Sequence, residues 1–534
     1  MKAILAFSTG FLFAATAASA TGVVSFKDAA KIKSWDAWDD HKVQAAVTNV
    51  LQKEKKSVTW ERFNRVDPGL REIGRLQTRT SSQVKSSKWS VGCETLDRDY
   101  ADWDAYKALL PMLGVKRARF FSGWAKTEQT KGIYDFAWLD RQIRECAAMD
   151  VKPWICISYG NPVWGSDFRL GMRVKQVTGD PEAFAAWIRY TKALVARYKD
   201  VVDEWEVWNE PFNQGVEYAE MFYRTAKAIR EVQPEAKVIC TAVSMAADMS
   251  KSDYAAVLEK LRKENALDLA SFFVYHPYTA NPDTSYGDAG WTATALRKFV
   301  KSYSGRFDII QGEAGCPSQL EFAHALADIE WTEYAQAKWN LRRAIGDAVR
   351  SIPSSLFTMI DLQYTFMLQS FGLVRSNTLK EFVYRRPSWY AMRNVYALFD
   401  DETLPQGHAE EKVGARTLSR NLFTRYGQPL YVFWFCDAAP SSSLDFTRID
   451  LDLGRGDVKS PVWIDLVTGR VFEIPAANVV AKKGGGVTLK DVPMWDSPVI
   501  VAPRGAITLV RDWQKMTPYD IVDAFCRLGH PRTA

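Results

Sequence analysis

The chain has 534 residues, 47% of them hydrophobic and 25% charged, the ordinary composition of a globular protein with room for two to four domains. That excludes a disordered, collagen-like or polytopic membrane protein. The formal net charge is +6 and is spread along the whole length, so no basic block points to a nucleic-acid partner.

Residues 1–20 read as a secretory signal peptide. Lys2 precedes an uncharged apolar run from Ala3 to Ala18, and the run ends in Ala18-Ser19-Ala20, an A-x-A cleavage site. The apolar part is shorter than the ~20 residues a membrane span requires. Cleavage after Ala20 and export, to the periplasm or outside the cell, are therefore expected. No later stretch is long and apolar enough to cross a bilayer. Residues 21–87 are polar, mostly helical in pattern and broken at Asp67-Pro68-Gly69. They read as an N-terminal extension packed on the main domain.

From Trp89 short apolar runs alternate with amphipathic stretches, the βαβα rhythm of a parallel sheet. The expected strands are Trp89–Glu94, Lys116–Phe121, Lys152–Ser158, Val202–Asn209, Lys237–Ala242, Leu269–Tyr275, Phe307–Gly312 and Ser355–Leu362. Helical patterns such as Phe184–Tyr198, Tyr218–Val232 and Ala255–Glu264 lie between them. Eight strands in roughly 270 residues match the ~250 of a (β/α)8 barrel, placed here over residues 88–400 and closed by a helix at Ser388–Leu398. Residues 401–512 then hold short β-branched segments punctuated by Gly and Pro, among them Leu430–Phe435, Pro461–Val467, Val487–Leu489 and Val499–Val501. These read as a C-terminal antiparallel β-sandwich, with 513–534 as a tail. The fold class expected is α/β: a TIM barrel carrying that sandwich.

All seven cysteines (Cys93, Cys146, Cys156, Cys240, Cys316, Cys436 and Cys526) follow the cleavage point. Their sparse, odd-numbered spacing is no disulfide framework, and Cys156 and Cys240 lie in apolar strand-like runs. The five His are scattered, without metal-ligand spacing. Neither a metal nor another cofactor is expected.

The chemistry concentrates at strand ends. Asp203-Glu204-Trp205-Glu206-Val207-Trp208-Asn209-Glu210-Pro211 is a β run ending in Asn-Glu, where Pro stops the ladder. In a barrel the carboxyl ends of the strands face the active site, so Glu210 projects there. A Glu at one strand end is most often a structural ion-pair member. A second one, Glu313 in Ile310-Gln311-Gly312-Glu313-Ala314, changes the odds. The two are 103 residues apart, three βα units at about 34 each against a usual ~31. The fourth and seventh strands lie nearly opposite one another, so both side chains can converge across the mouth. Two carboxyls about 5–5.5 Å apart make a retaining glycosidase.

Trp208-Asn209-Glu210-Pro211 followed by a later strand-end Glu resembles the clan A glycoside hydrolases, loosely family 39 with its β-xylosidases and α-L-iduronidases. The resemblance covers residues 89–400. It implies a retaining (β/α)8 enzyme with Glu210 as acid/base, Glu313 as nucleophile and Asn209 on the sugar 2-hydroxyl. Arg119-Phe120-Phe121-Ser122-Gly123-Trp124 is similar to the clan's second strand end, whose Arg orients the nucleophile. The loop beyond it, which begins at Trp124, resembles that of families 39, 10 and 42. His276-Pro277-Tyr278 stands where clan members carry a His and a Tyr beside the nucleophile. Glu94 and Asn161 are candidate sugar-hydroxyl binders, with loop capping the alternative. Trp124 joins the expected substrate-binding set, and Trp164 and Trp291 are candidate stacking platforms, with loop packing the rival reading. Where the clan often ends strand eight with Trp, this chain has Met359-Ile360-Asp361-Leu362-Gln363-Tyr364, which leaves the sugar open.

The function expected is an exported retaining glycosidase acting on an oligo- or polysaccharide, β-xylosidase-like and exo-acting. The alternatives are a carbohydrate-binding protein on a decayed barrel and a transglycosylase, in which a sugar instead of water intercepts the same glycosyl-enzyme.

Overall fold

A computed structural model describes residues 66–168, 173–241, 248–454, 458, 460–483 and 485–510. The first strand, β1 (Arg71–Leu76), precedes the barrel. Eight parallel strands then close into a ring: β2 (Trp89–Gly92), β3 (Arg117–Phe121), β4 (Lys152–Ile157), β5 (Glu204–Val207), β6 (Lys237–Thr241), β7 (Phe272–Tyr275), β8 (Asp308–Ala314) and β9 (Ser354–Leu356). Trp89 opposite Ser354 closes the circle. Each of the eight expected strands is present. The last is shorter than expected, because Leu362–Gln363 pairs instead with Leu368–Gln369 in a separate hairpin. The strands are buried on both faces, as helix-covered parallel strands must be, and this is why they read as continuous apolar runs.

Inside the ring, Trp154, Ile239, Val274 and Ile310 form an apolar cluster. Polar layers interleave with it. Side chains alternate along a strand, so Arg117 and Arg119 of β3 point inward, as do Glu204 and Glu206 of β5. They pair as two stacked layers, Arg117–Glu204 toward the N-terminal end and Arg119–Glu206 above it. The indole of Trp154 lies against both guanidinium groups, at 5.4 and 5.5 Å.

The outer helices start on side-chain caps. Asp180 accepts from the backbone N–H of Glu182 and Ala183 to open Pro181–Tyr198, with Pro at its first turn; that arrangement satisfies N–H groups the helix itself cannot. Helix Glu333–Val349 is buried along almost its whole length, because the second domain packs on the face turned away from the barrel. Its Lys338 reaches Asp496 and the Ser443 carbonyl, and its Arg342 reaches Asp283, Asn281 and the Ala438 carbonyl.

The second domain has two antiparallel sheets. One has eight strands, in the order Thr403–Val413, Arg416–Arg425, Gln428–Phe435, Val499–Pro503, Pro461–Asp465, Arg470–Glu473, β1 and Leu509–Val510. The other has Thr447–Leu453, Val487–Met494 and Val479–Ala481. An antiparallel sandwich is therefore present after the barrel, its strands lying between Thr403 and Val510, with one addition from far upstream. β1 pairs with Arg470–Glu473 and Leu509–Val510, so residues 66–87 are a strand and a short 3-10 turn, not the helical extension expected. The pairing edges of that sheet offer more hydrogen bonds than an isolated helix of that length would keep. Residues 1–20, expected to be a signal peptide, residues 21–65 and the tail from 511 lie outside the described residues. Six cysteines are described, all buried and unbridged.

Candidate active site

Backbone geometry at two strand ends aims the acids. After β5 the chain turns through Trp208 (φ 64°) and Glu210 (φ 51°), both in the left-handed region that costs non-glycine residues roughly 1–3 kcal/mol each and clusters at functional sites. Trp208 anchors the turn: it is fully buried against Tyr159 and Trp187 and donates its backbone N–H to the Ile157 carbonyl. On β8 the pairing with β9 slips between Gln311 and Ala314. Such a bulge re-aims side chains, and here it turns Glu313 toward the barrel axis. Gly312 permits the slip, since a Cβ there would come 2.3 Å from Val274 Cγ1.

Glu210, His276 and Glu313 bring one side-chain donor atom each within 4.8 Å of one another. Glu210 is the more open acid, with its side chain 26% exposed against 11% for Glu313. His276 Nδ1 lies 2.8 Å from Glu210 Oε1. Tyr278 donates its hydroxyl to Glu313 Oε1 at 2.9 Å, and Arg119 Nη1 donates to Glu313 Oε2 at 2.7 Å.

Arg119 organises the floor and is fully buried. Its Nε and Nη2 fork onto Glu206 at 2.7 and 2.8 Å, Nη2 also reaches Asn209 Oδ1 at 2.7 Å, and Nη1 is shared between Glu313 and Glu94 Oε1 at 2.9 Å. Asn209 passes the chain on, donating to the Tyr159 hydroxyl at 2.7 Å. Thr241 supplies a further donor to Glu206.

These contacts separate the two carboxyls that share Arg119. Burial works to raise Glu313, but His276, the Arg119 guanidinium and the Tyr278 hydroxyl outweigh it and hold the group below the ordinary Glu range. Glu94 has the same cation and no second donor. Burial dominates there, helped by the negative charge of Glu313, and pushes it up to about 8. The shared guanidinium therefore favours the anion on Glu313, while burial favours the protonated form of Glu94. A divalent cation between Glu210, His276 and Glu313 would stand against the Arg119 charge already bonded to Glu313, so the trio is a poor metal cradle.

Of the residues expected at the site, Glu210, Glu313, Asn209, Arg119, His276 and Tyr278 come together, with Glu94 beneath them. Four do not. Asn161 is buried and caps its own loop, accepting from the Val163 N–H and donating to the Glu128 carbonyl at 2.8 Å; no atom is left for a sugar. Trp124 is fully buried between Trp187 and Tyr190 and offers no face. Trp164 is buried too, its indole N–H donating to Glu128 and its face covered by Lys131 at 4.1 Å. Trp291 stacks on Tyr254 and meets the outward ring of Tyr275, on the far side of the strand from the site. Glu206, Tyr159 and Thr241 were not expected there. The matched spacing of Arg117-x-Arg119 and Glu204-x-Glu206 is the signal that points to the first.

No family model matches this chain, and no curated protein does. Among solved structures, a family 39 glycoside hydrolase from the gut symbiont Bacteroides cellulosilyticus WH2 is similar at 18% identity, over 78% of this chain and 81% of that one, with a TM-score of 0.57. A family 30 subfamily 8 xylanase from Clostridium acetobutylicum aligns at 13% identity over 80% of this chain and 97% of that one, with a TM-score of 0.46. The first likeness shows a shared fold.

Proposed function

We propose that this protein is a retaining glycoside hydrolase with Glu313 as nucleophile and Glu210 as acid/base. The observation that carries the reading is the pair of strand-end carboxyls whose oxygens approach within 4.8 Å, close to the ~5–5.5 Å of retaining enzymes and short of the ~6.5–9.5 Å that leaves room for an inverting water. The asymmetry of the pair agrees with those roles. Glu313 is held as an anion by Arg119 and Tyr278, as a nucleophile must be, whereas Glu210 is the more solvent-exposed of the two.

In the first step Glu210 gives its proton to the glycosidic oxygen while Glu313 attacks the anomeric carbon. The C–O bond to the leaving group breaks and a glycosyl ester forms on Glu313. In the second, Glu210 takes a proton from water, whose oxygen attacks the same carbon and frees the Glu313 carboxylate. Asn209, fixed by Arg119 and Tyr159, is set to bind the sugar 2-hydroxyl. The likeness to a family 39 glycoside hydrolase supports a glycosidase, and an exo-acting, β-xylosidase-like enzyme remains part of the proposal. So does export, which rests on residues 1–20. Among the described residues no helix is long and apolar enough to cross a membrane.

The test is a panel of aryl glycosides of both anomers with the first-formed product followed by proton NMR. Retention of anomeric configuration is expected, together with trapping of a 2-fluoro glycoside on Glu313. An inverted product, or no hydrolysis across the panel, refutes the proposal.

A further inference from the structure

Between β7, which ends at Tyr275, and the short 3-10 turn Pro282–Tyr286 the chain has no regular structure. His276 and Tyr278 both lie on that stretch, so no ladder of strand or helix bonds fixes the hydroxyl that meets Glu313. The backbone there is held from outside. The carbonyls on either side of Tyr278 are each taken by a side chain of helix Glu333–Val349. Arg343 Nη2 donates to the Pro277 carbonyl at 3.1 Å, and Trp339 Nε1 donates to the Thr279 carbonyl at 2.9 Å. Arg342 of the same helix carries the restraint across to the second domain.

Arg342 is fully buried, and all three of its nitrogens are engaged. Nη2 donates to Asn281 Oδ1 at 2.9 Å, Nε to Asp283 Oδ2 at 2.7 Å and Nη1 to the Ala438 carbonyl of the sandwich at 2.9 Å. The same two loop residues also reach the sandwich directly. Asn281 Nδ2 donates to the Cys436 carbonyl at 2.9 Å, and the indole N–H of Trp434, near the end of strand Gln428–Phe435, donates to Asp283 Oδ1 at 3.1 Å. Asn281 Oδ1 caps the 3-10 turn as well, accepting from the Asp283 N–H at 3.2 Å. An interface that only joined two domains would need no particular loop. This one converges within five residues of Tyr278 and is built in part from charge-assisted bonds, the strong kind.

Building on the glycosidase reading, we propose that Asn281 and Arg342 are positioning residues, which latch the loop after β7 to the sandwich and thereby hold the Tyr278 hydroxyl on Glu313. The second domain then takes part in catalysis without touching the sugar. Productive geometry tolerates displacements of only ~0.5 Å, and a donor drawn beyond ~3.5 Å no longer bonds. Opening the latch leaves Glu313 with Arg119 but without its second donor. The groups facing Glu313 are Arg119 on β3, Glu94 past β2, Glu210 past β5, and His276 and Tyr278 past β7, with Tyr159 and Tyr364 in electrostatic reach. None of these bonds to the side chain of Asn281 or Arg342 among the described residues, so the loop backbone is the route between them.

The experiment follows the Glu313 carboxyl by carbon NMR in full-length protein carrying carboxyl-labelled glutamate, with Glu313→Gln to assign the signal. The acid limb of kcat/KM on an aryl glycoside is recorded in parallel. Asn281→Ala opens the latch without changing charge, Arg342→Met removes the fork, and Arg342→Lys keeps the cation alone. Asn281→Ala and Arg342→Met should each raise the Glu313 titration by about 0.5–2 pH units, up to the whole effect of losing the Tyr278 bond. Arg342→Lys should raise it less. In a Tyr278→Phe background neither replacement should move it further, whereas a through-space effect of the lost Arg342 charge would persist there. Circular dichroism and calorimetric Tm check the fold, and Trp434→Phe, which gives up the bond to Asp283, stands in for any variant that does not fold. A latch that is structural only lowers Tm and leaves the titration in place. That result in folded Asn281→Ala, or equal shifts with and without the Tyr278 hydroxyl, overturns the positioning proposal and leaves the glycosidase reading standing. Because the titration needs no turnover, it is read equally on a protein that hydrolyses nothing, an outcome that refutes the glycosidase reading alone.

Discussion

Replacing Tyr278 by Phe isolates the charge state of the proposed nucleophile. The ring is held by Phe357 and Phe371 at centroid distances of 6.4 and 6.2 Å, contacts that Phe keeps, so no cavity opens. Only the 2.9 Å bond to Glu313 Oε1 is lost. A hydrogen bond to a charged group is worth about 1.5–3 kcal/mol, and about 1.36 kcal/mol corresponds to one pH unit. The sign follows from which form the bond favours. Tyr278 stabilises the anion, so without it Glu313 protonates at higher pH, and activity that needs the anion is lost earlier as pH falls. The acid limb of the kcat/KM profile, which reports the free enzyme, should move up by about 1–2 pH units. Initial rates on an aryl glycoside across the range where the fold is stable provide the measurement. A limb that stays in place, or moves down, refutes the assignment of Glu313 as the ionised partner.

Three other outcomes are expected. Glu210→Ala should lose about 10²–10⁴-fold in turnover on an unactivated glycoside but far less on one with a dinitrophenyl leaving group, with azide restoring rate as a glycosyl azide forms; equal losses on both substrates would remove Glu210 from the acid role. Glu94 is raised by burial to about 8, so its contribution to stability is whole below the ordinary Glu value near ~4.3 and is lost as pH rises through about 8. Glu94→Gln mimics the protonated acid, and calorimetric Tm curves of variant and wild type should diverge in the variant's favour across that window; parallel curves contradict the shift. Trp124→Ala should cost about 3–5 kcal/mol in denaturant unfolding with KM unchanged in the surviving native protein, whereas a tenfold rise in KM would return Trp124 to the sugar site.

The barrel was readable because its physics is repetitive. Strands buried on both faces leave apolar runs at near-constant spacing, and Glu210 and Glu313 interrupt such runs at their carboxyl ends. Packing partners were harder. Trp124, Trp164 and Trp291 carry no local mark that separates a stacking platform from a core residue; burial by Trp187, Lys131 and Tyr254 decides, and these are distant in sequence. Asn161 was the reverse case, since Asn before Pro is a capping signal in its own right, and the structure shows it capping. β1 was hidden for a different reason. Arg71-Glu72-Ile73-Gly74-Arg75-Leu76 is polar on its open face, is interrupted by a bulge at Gly74, and finds its partners only near the chain's other end. Glu206 stood in plain view, but its meaning depended on noticing that β3 repeats the same alternation with opposite charge.

That displaced strand has consequences for how the molecule is made. Arg71 meets Glu473 at a separation of 402 positions along the chain, so at ribosomal speeds of ~5–20 residues per second one edge waits about 20–80 s for the other. Throughout that time the whole barrel is being threaded between two halves of a single sheet. The catalytic unit and its neighbour are thus nested, not strung in tandem, and a fragment starting at residue 401 would lack an inner ribbon that Leu509–Val510 needs for its only pairing among the described residues. Cutting the gene at the apparent boundary would leave both pieces with raw edges.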